Sequence, residues 1–417
     1  MINGPVFDGA VLAAVPPPST PLGPFVDSFV SWTSWVTLMG FLGVVALALL
    51  AAGPAARRIG TDAVAAVTAR LTRVGAVLAL LALPAVLTNA AHGASKSGGY
   101  DYGAAWAALY DGSTAGLLAG LEVTLTAIGL VLVLPLVLRR TAAGPARGGL
   151  LTAALLAGAV ALGTTKFPDK APAPGTMGRT VFSTVMWMLH LWGGGIWIGG
   201  LIGMLLLAVP GAVPTVRRGA FWSPAIRRFS VTAMSCVSAT VLSGVFLYWS
   251  HVDGPGQLLT TMYGRVLGVK LLIFGTMLIL GVVNQFWLHP RIEALRAAGD
   301  TRPLRVLLVR TFPATVALEV LLGLSVLMVA PFLHGSARNQ AFQAEAAKVA
   351  PAGTKAKDLP KAPPKVASTS TWVWGTTETI AVITIMATGY QISGRLARRR
   401  TAASTSTPAR SANLVGT

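Results

Sequence analysis

The sequence predicts an all-α fold: a polytopic transmembrane helical bundle of about nine helices. Three observations carry that expectation. Hydrophobic residues make up 53% of the 417 and charged residues only 11%, where a soluble domain carries about 25% charged. Mean hydropathy is +0.66. Apolar runs of about 20 residues, the length that crosses a bilayer, recur along the chain. Too few charges remain to solvate a globule of this size, so soluble enzyme, disordered chain and fibrous protein are excluded.

The runs lie at 29–52, 72–91, 114–138, 149–166, 180–209, 229–250, 263–288, 311–333 and 372–394. The fourth is short and the fifth is long enough to tilt. The stretch before the first has no Lys or Arg and no long apolar run, so it does not read as a cleaved signal peptide. Runs one to four make an N-terminal membrane region over 1–175, and runs five to eight a second four-helix core over 176–335. The two units share a faint repeat, since runs two and six both leave an Arg-bearing connection and end at a histidine. Residues 336–371 are rich in Ala, Lys and Pro without apolar periodicity, which predicts a flexible or partly extended linker. The ninth run, 372–394, follows, and 395–417 is a basic tail.

Net charge is +19, from 33 Lys+Arg against 14 Asp+Glu. In a soluble chain that would suggest nucleic acid; here its distribution suggests topology. Alternate connections and the tail hold 21 arginines, no lysine and three acids, net +18. The opposite side nets +2 and the spans −1. The positive-inside rule places the N-terminus outside and the C-terminus inside. No nucleic-acid partner is needed, and the cytoplasmic membrane is the expected location.

Five histidines occur. On this topology His92, His251 and His334 end the second, sixth and eighth runs on the outer side. His190 lies about ten residues into the fifth run, near mid-depth at 1.5 Å per residue. Only His289 falls inside, where the helix dipole favours a proton. An ionisable group at membrane depth is a functional-site candidate. Met186 and Trp197 share its helical face at i−4 and i+7. Thioether and imidazole suit copper, especially Cu(I); the plain alternative is a hydrogen-bonded histidine beside a core methionine. The outer three, with Asn89, Asp253 and Met262 near two of them, could receive an entering cation or simply be wetted helix ends.

Arg265 and Lys270 lie near the start of the seventh run. Glu122 and Glu378 sit at similar depths and are expected pairing partners for Lys270, with Asn284 and Gln285 expected beside Glu319. The set reads equally as structural ion pairs or as a polar path. Gly195, Gly199 and Gly203 form GxxxGxxxG, a close-packing signal. There is no GxxxxGK[ST], HExxH, CxxC or GxSxG, and Cys236 is the one cysteine. No enzymatic activity is expected.

Residues 180–334 resemble the CopD family of copper-resistance and copper-transport membrane proteins. The resemblance rests on Leu189-His190 with Trp197-Ile198-Gly199-Gly200-Leu201, on Arg228-Phe229-Ser230 with Ser243-Gly244, and on Tyr263-Gly264-Arg265-Val266-Leu267 with Lys270, then Asn284. It implies a cytoplasmic-membrane protein that handles copper and passes it inward. His190 carries over as the leading ligand, supported by Trp197, Gly199 and Gly200; His92, His251 and His334 rest on topology and chemistry. The expected partners are the bilayer, a copper ion, and a periplasmic copper chaperone or an oxidase-assembly partner. Two alternatives stand beside transport: an assembly factor supplying copper to a respiratory oxidase, and a b-type haem protein using His190 with His251 or His334.

Overall fold

The computed structural model describes residues 25–94, 99–172, 174–209, 218–283, 311–333, 335–351 and 368–405, with Val213 and short pieces between 354 and 365. His289, His334, Asn284 and Gln285 lie outside the described residues. Among those described, the regular elements are all helical. Eight helices are long and apolar enough to cross a membrane. They are α1 (Phe25–Leu47), α2 (Thr61–Ala94), α3 (Thr114–Val133), α4 (Arg147–Thr164), α5 (Met177–Ala208), α6 (Arg218–His251), α7 (Met262–Val283) and α8 (Thr311–Val329). The linker contributes α9 (Ala337–Val349), and the ninth apolar run lies within α10 (Thr369–Thr405). The chain is a multi-pass membrane protein.

Helix α1 is the axis of the bundle and packs against α2, α4, α5 and α8. Its contact with α5 is set by glycine. A Cβ on Gly43 would fall 2.5 Å from the Gly195 carbonyl oxygen and 2.5 Å from the Gly199 Cα. A Cβ on Gly199 would fall 2.8 Å from the Gly43 Cα. Backbone meets backbone, so the expected GxxxGxxxG packing has found its partner in α1. That contact fixes the helix carrying His190.

Other faces are left apolar and open. Val77, Leu80, Val131, Leu156, Leu272 and Ile279 are all more than 45% exposed. In water such a surface would drive association; in a bilayer it is the lipid-facing side.

At the arginine-rich end, α1 runs into a π-helical turn, Ala48–Ala52, and then Gly53–Arg57. A π turn disturbs the regular carbonyl pairing of a helix. Buried Arg147 answers it from α4, donating from Nη2 to the Ala48 carbonyl at 2.7 Å and from Nε to Thr68 Oγ1 at 2.8 Å. Nearby, the last carbonyls of the α3 unit are capped from α2: Thr72 Oγ1 donates to Leu136 O and Arg73 Nε to Val137 O.

The linker differs from its expectation of a flexible or extended segment. Ser336 caps α9 by accepting from the Asn339 N–H. The chain then returns across the end of α6, where Lys365 Nζ donates to the carbonyls of Trp249 (2.6 Å) and Val252 (2.8 Å). Lys365 and Arg338 both pair with Asp253, at 3.2 and 3.3 Å. The linker carries no membrane periodicity, yet its Lys365 satisfies two carbonyls at the C-terminal end of α6. Beyond it α10 packs on α6, with Trp372, Trp374, Ile380 and Ile385 exposed.

Candidate functional site

His190 projects from α5 toward α6. Its Nδ1 is 3.2 Å from Ser243 Oγ. The Ser243 hydroxyl proton is committed to the Ala239 carbonyl at 2.6 Å. The serine oxygen is therefore an acceptor, the imidazole donates through Nδ1–H, and Nε2 keeps its lone pair. Gly244 leaves room here: a Cβ on it would stand 3.7 Å from the His190 ring.

His251, at the end of α6, is oriented in the same sense. Its Nδ1 donates to the Leu247 carbonyl at 2.8 Å and lies 2.8 Å from Ser250 Oγ. Its Nε2 is left for another partner, and the ring stacks on Tyr263 of α7 at 5.9 Å and 6°. Trp187 joins the two histidines, with ring centroids 6.3 Å from His190 and 6.4 Å from His251, both edge-on. A histidine held through Nδ1 with Nε2 free is the usual state of a metal-ligating imidazole.

The surroundings are cationic. Lys166, just past α4, stands 4.8 Å over the Trp187 ring and 5.8 Å over Trp35, and burial holds its ammonium below the usual lysine range. Lys270 is near enough to act electrostatically on His190, and Lys166 on Lys270. Among the described residues Lys270 has no ion pair with Glu122 or Glu378, so that expected pairing is not formed. The reason is helix placement. Glu122 is on α3, which packs on α2 and α4, and Glu378 lies near Tyr248 of α6. Two lysines beside a pair of imidazoles disfavour a dication and cost a monovalent soft ion less.

The other expected residues disperse. Met186 stays one helical turn before His190 and is half-buried. Trp197 is core, its ring edge-on to Phe274 of α7 at 6.0 Å. Arg265 is exposed and caps the short helix Gln257–Thr260 through Leu259 O. Glu319 is buried on α8, with its expected amide partners outside the described residues. His92 is apart from the His190 group, beside Asp27 of α1. Among the described residues no three His, Cys, Asp or Glu side chains converge on one point. Trp187, Ser243, Tyr263 and Lys166 are the missed participants. Trp187 had a readable signal, three residues before His190 on the same face, and Ser243 and Tyr263 stood in the stretches that carry the resemblance without being assigned a role.

Residues 223–333 match the family model described as Copper resistance protein D. A curated protein of that name from Pseudomonas syringae pv. tomato is 33% identical over 115 residues, 27% of this chain and 37% of that protein. The chain thus spans little more than a third of the curated relative it matches. No solved structure matches. The family match begins in α6, so Ser243, His251 and Lys270 lie inside it and His190 outside.

Proposed function

From a chain that carries a CopD-family segment over residues 223–333, we propose a copper-resistance membrane protein that conducts copper, as Cu(I), across the cytoplasmic membrane. The observation that supports this most is the pairing of His190 and His251 around Trp187, each with an oxygen partner at Nδ1. Copper enters from the arginine-poor, outer side, meets His251 near the end of α6, and passes to His190 with Met186 one turn further out. Ser243 and the Leu247 carbonyl fix the two ring orientations. Lys166 and Lys270 set the charge preference: two neutral imidazoles and a thioether accept Cu(I), while Cu(II) meets a larger repulsion. The haem and assembly-factor readings gain no observation of their own from this geometry. A copper chaperone or an oxidase partner on the outer side remains compatible with the route.

The test is copper uptake into vesicles containing the full chain. His190→Ala and His251→Ala are each expected to lower the rate at least tenfold, with the protein still inserted. Uptake equal to wild type in His190→Ala overturns the reading. A Soret band in the purified wild type would replace it with the haem reading.

A further inference from the structure

A second group of residues, on the leading half of the chain, has donor chemistry different from the His190 group. His92, in the last turn of α2, approaches Asp27, in the first turn of α1, with Nδ1 to Oδ1 at 3.4 Å. That distance is in ion-pair range but beyond an ordinary N–H···O hydrogen bond of about 2.7–3.2 Å. The His92 Nδ1 is buried and has no hydrogen-bond partner. Orphaned buried polar atoms are rare and ask for an explanation. Two donor atoms, each about 2.0–2.1 Å from one metal ion, stand roughly 3.0 Å apart at a right angle and 3.4 Å apart at the tetrahedral angle. The gap between Nδ1 and Oδ1 therefore has the size of one edge of a coordination polyhedron.

The neighbours are arranged around that gap. Tyr100 Oη donates to Asp27 Oδ1 at 2.8 Å, and its ring lies 5.5 Å from the His92 ring. A donor of this kind orients a ligating carboxylate. The segment is anchored because the Asp101 N–H donates to the Ala91 carbonyl. One turn deeper, Ser31 Oγ donates to Asn89 Oδ1 at 2.9 Å and ties α1 to α2. The His92 side chain as a whole is 35% exposed and that of Asp27 18%, so the pair lies near the surface although Nδ1 itself is covered.

We propose that His92 Nδ1 and Asp27 Oδ1 form a second, independent site for a divalent first-row cation, with Tyr100 as the positioning residue for the carboxylate. Imidazole nitrogen and carboxylate oxygen suit Cu(II) and Zn(II), with Cu(II) bound more tightly. Two protein ligands make it an exchangeable site. It stands on its own geometry and holds whether or not the His190 group carries Cu(I).

The experiment uses the purified, metal-stripped full chain in detergent, titrated with Cu(II) and read by dialysis stoichiometry and electron paramagnetic resonance. Wild type is expected to bind one Cu(II) with an imidazole-nitrogen signature, displaced by excess Zn(II). His92→Gln and Asp27→Asn are each expected to weaken binding at least tenfold, and His92→Gln to abolish the nitrogen signature. Tyr100→Phe, which leaves both ligands, is expected to weaken it several-fold. His190→Ala with His251→Ala is expected to leave all of these readings unchanged. Unaltered Cu(II) binding in Asp27→Asn, which preserves shape if His92→Gln misfolds, overturns the proposal. So does loss of the signal only in the His190 and His251 variants. Failure of the Cu(I) route shows in vesicle uptake and leaves these measurements untouched.

Discussion

Ser243 is the smallest group with a defined task in the His190 cluster. It gives its proton to the Ala239 carbonyl and offers its oxygen to His190 Nδ1. Ser243→Ala removes the acceptor and frees the ring to rotate or change tautomer. Loss of such an outer-shell partner typically costs about 10–100-fold in metal affinity. We expect Cu(I) affinity to fall by that order in Ser243→Ala, measured by competition with a chromophoric chelator, with thermal stability little changed. An unaltered affinity would show that the serine oxygen does not orient the ring. His190 was legible in the sequence as a candidate, because an ionisable residue in an apolar run is rare. The role of Ser243 was not, although it stood in a matching stretch, because its partner is 53 residues away.

At the scale of elements, two contacts decide whether the bundle assembles. The α1–α5 crossing leaves no space for a side chain at Gly199, where the obstacle is the Gly43 backbone itself. Overpacking a core costs roughly 1–3 kcal/mol when side chains can yield. Here backbone must move, so Gly199→Val is expected to exceed that and to give little folded protein by size-exclusion chromatography. The Arg147 contact with the π turn is polar and milder. Arg147→Met removes the guanidinium bonds to Thr68 and to the Ala48 carbonyl, which keeps the Gly53 N–H, at about 1.5–3 kcal/mol for a charged hydrogen bond, and the midpoint in a detergent thermal melt should drop. The glycine signal was readable from spacing alone. The arginine was read as a topology charge, because nothing local marks a residue that reaches a carbonyl 99 positions away. The linker was missed for a related reason: its order comes from Lys365 and Arg338 meeting the end of α6, not from its own periodicity. Lys365→Ala should release it, seen as faster proteolysis between 351 and 368.

For the whole molecule, the arginine distribution predicts orientation. Cys236 is the one native cysteine and is buried, so a Cys236→Ser background permits clean labelling. A cysteine placed by Asp169→Cys should react with an impermeant maleimide on intact cells, and one placed by Ala143→Cys only after permeabilisation. The reverse pattern would invert the topology. The sequence by itself determined that this chain crosses a bilayer many times as helices, because length and apolarity are local properties that the solvent enforces. It also marked His190 and the glycine face of its helix. Only the tertiary structure decided which expected residues meet: His190 and His251 share Trp187, His92 turns to Asp27, and Lys270 is left without Glu122. Those outcomes depend on which helices are neighbours and how each is rotated, and in a membrane nearly every apolar face is equally content with lipid. Packing at a few glycines and hydrogen bonds across helices selects one arrangement.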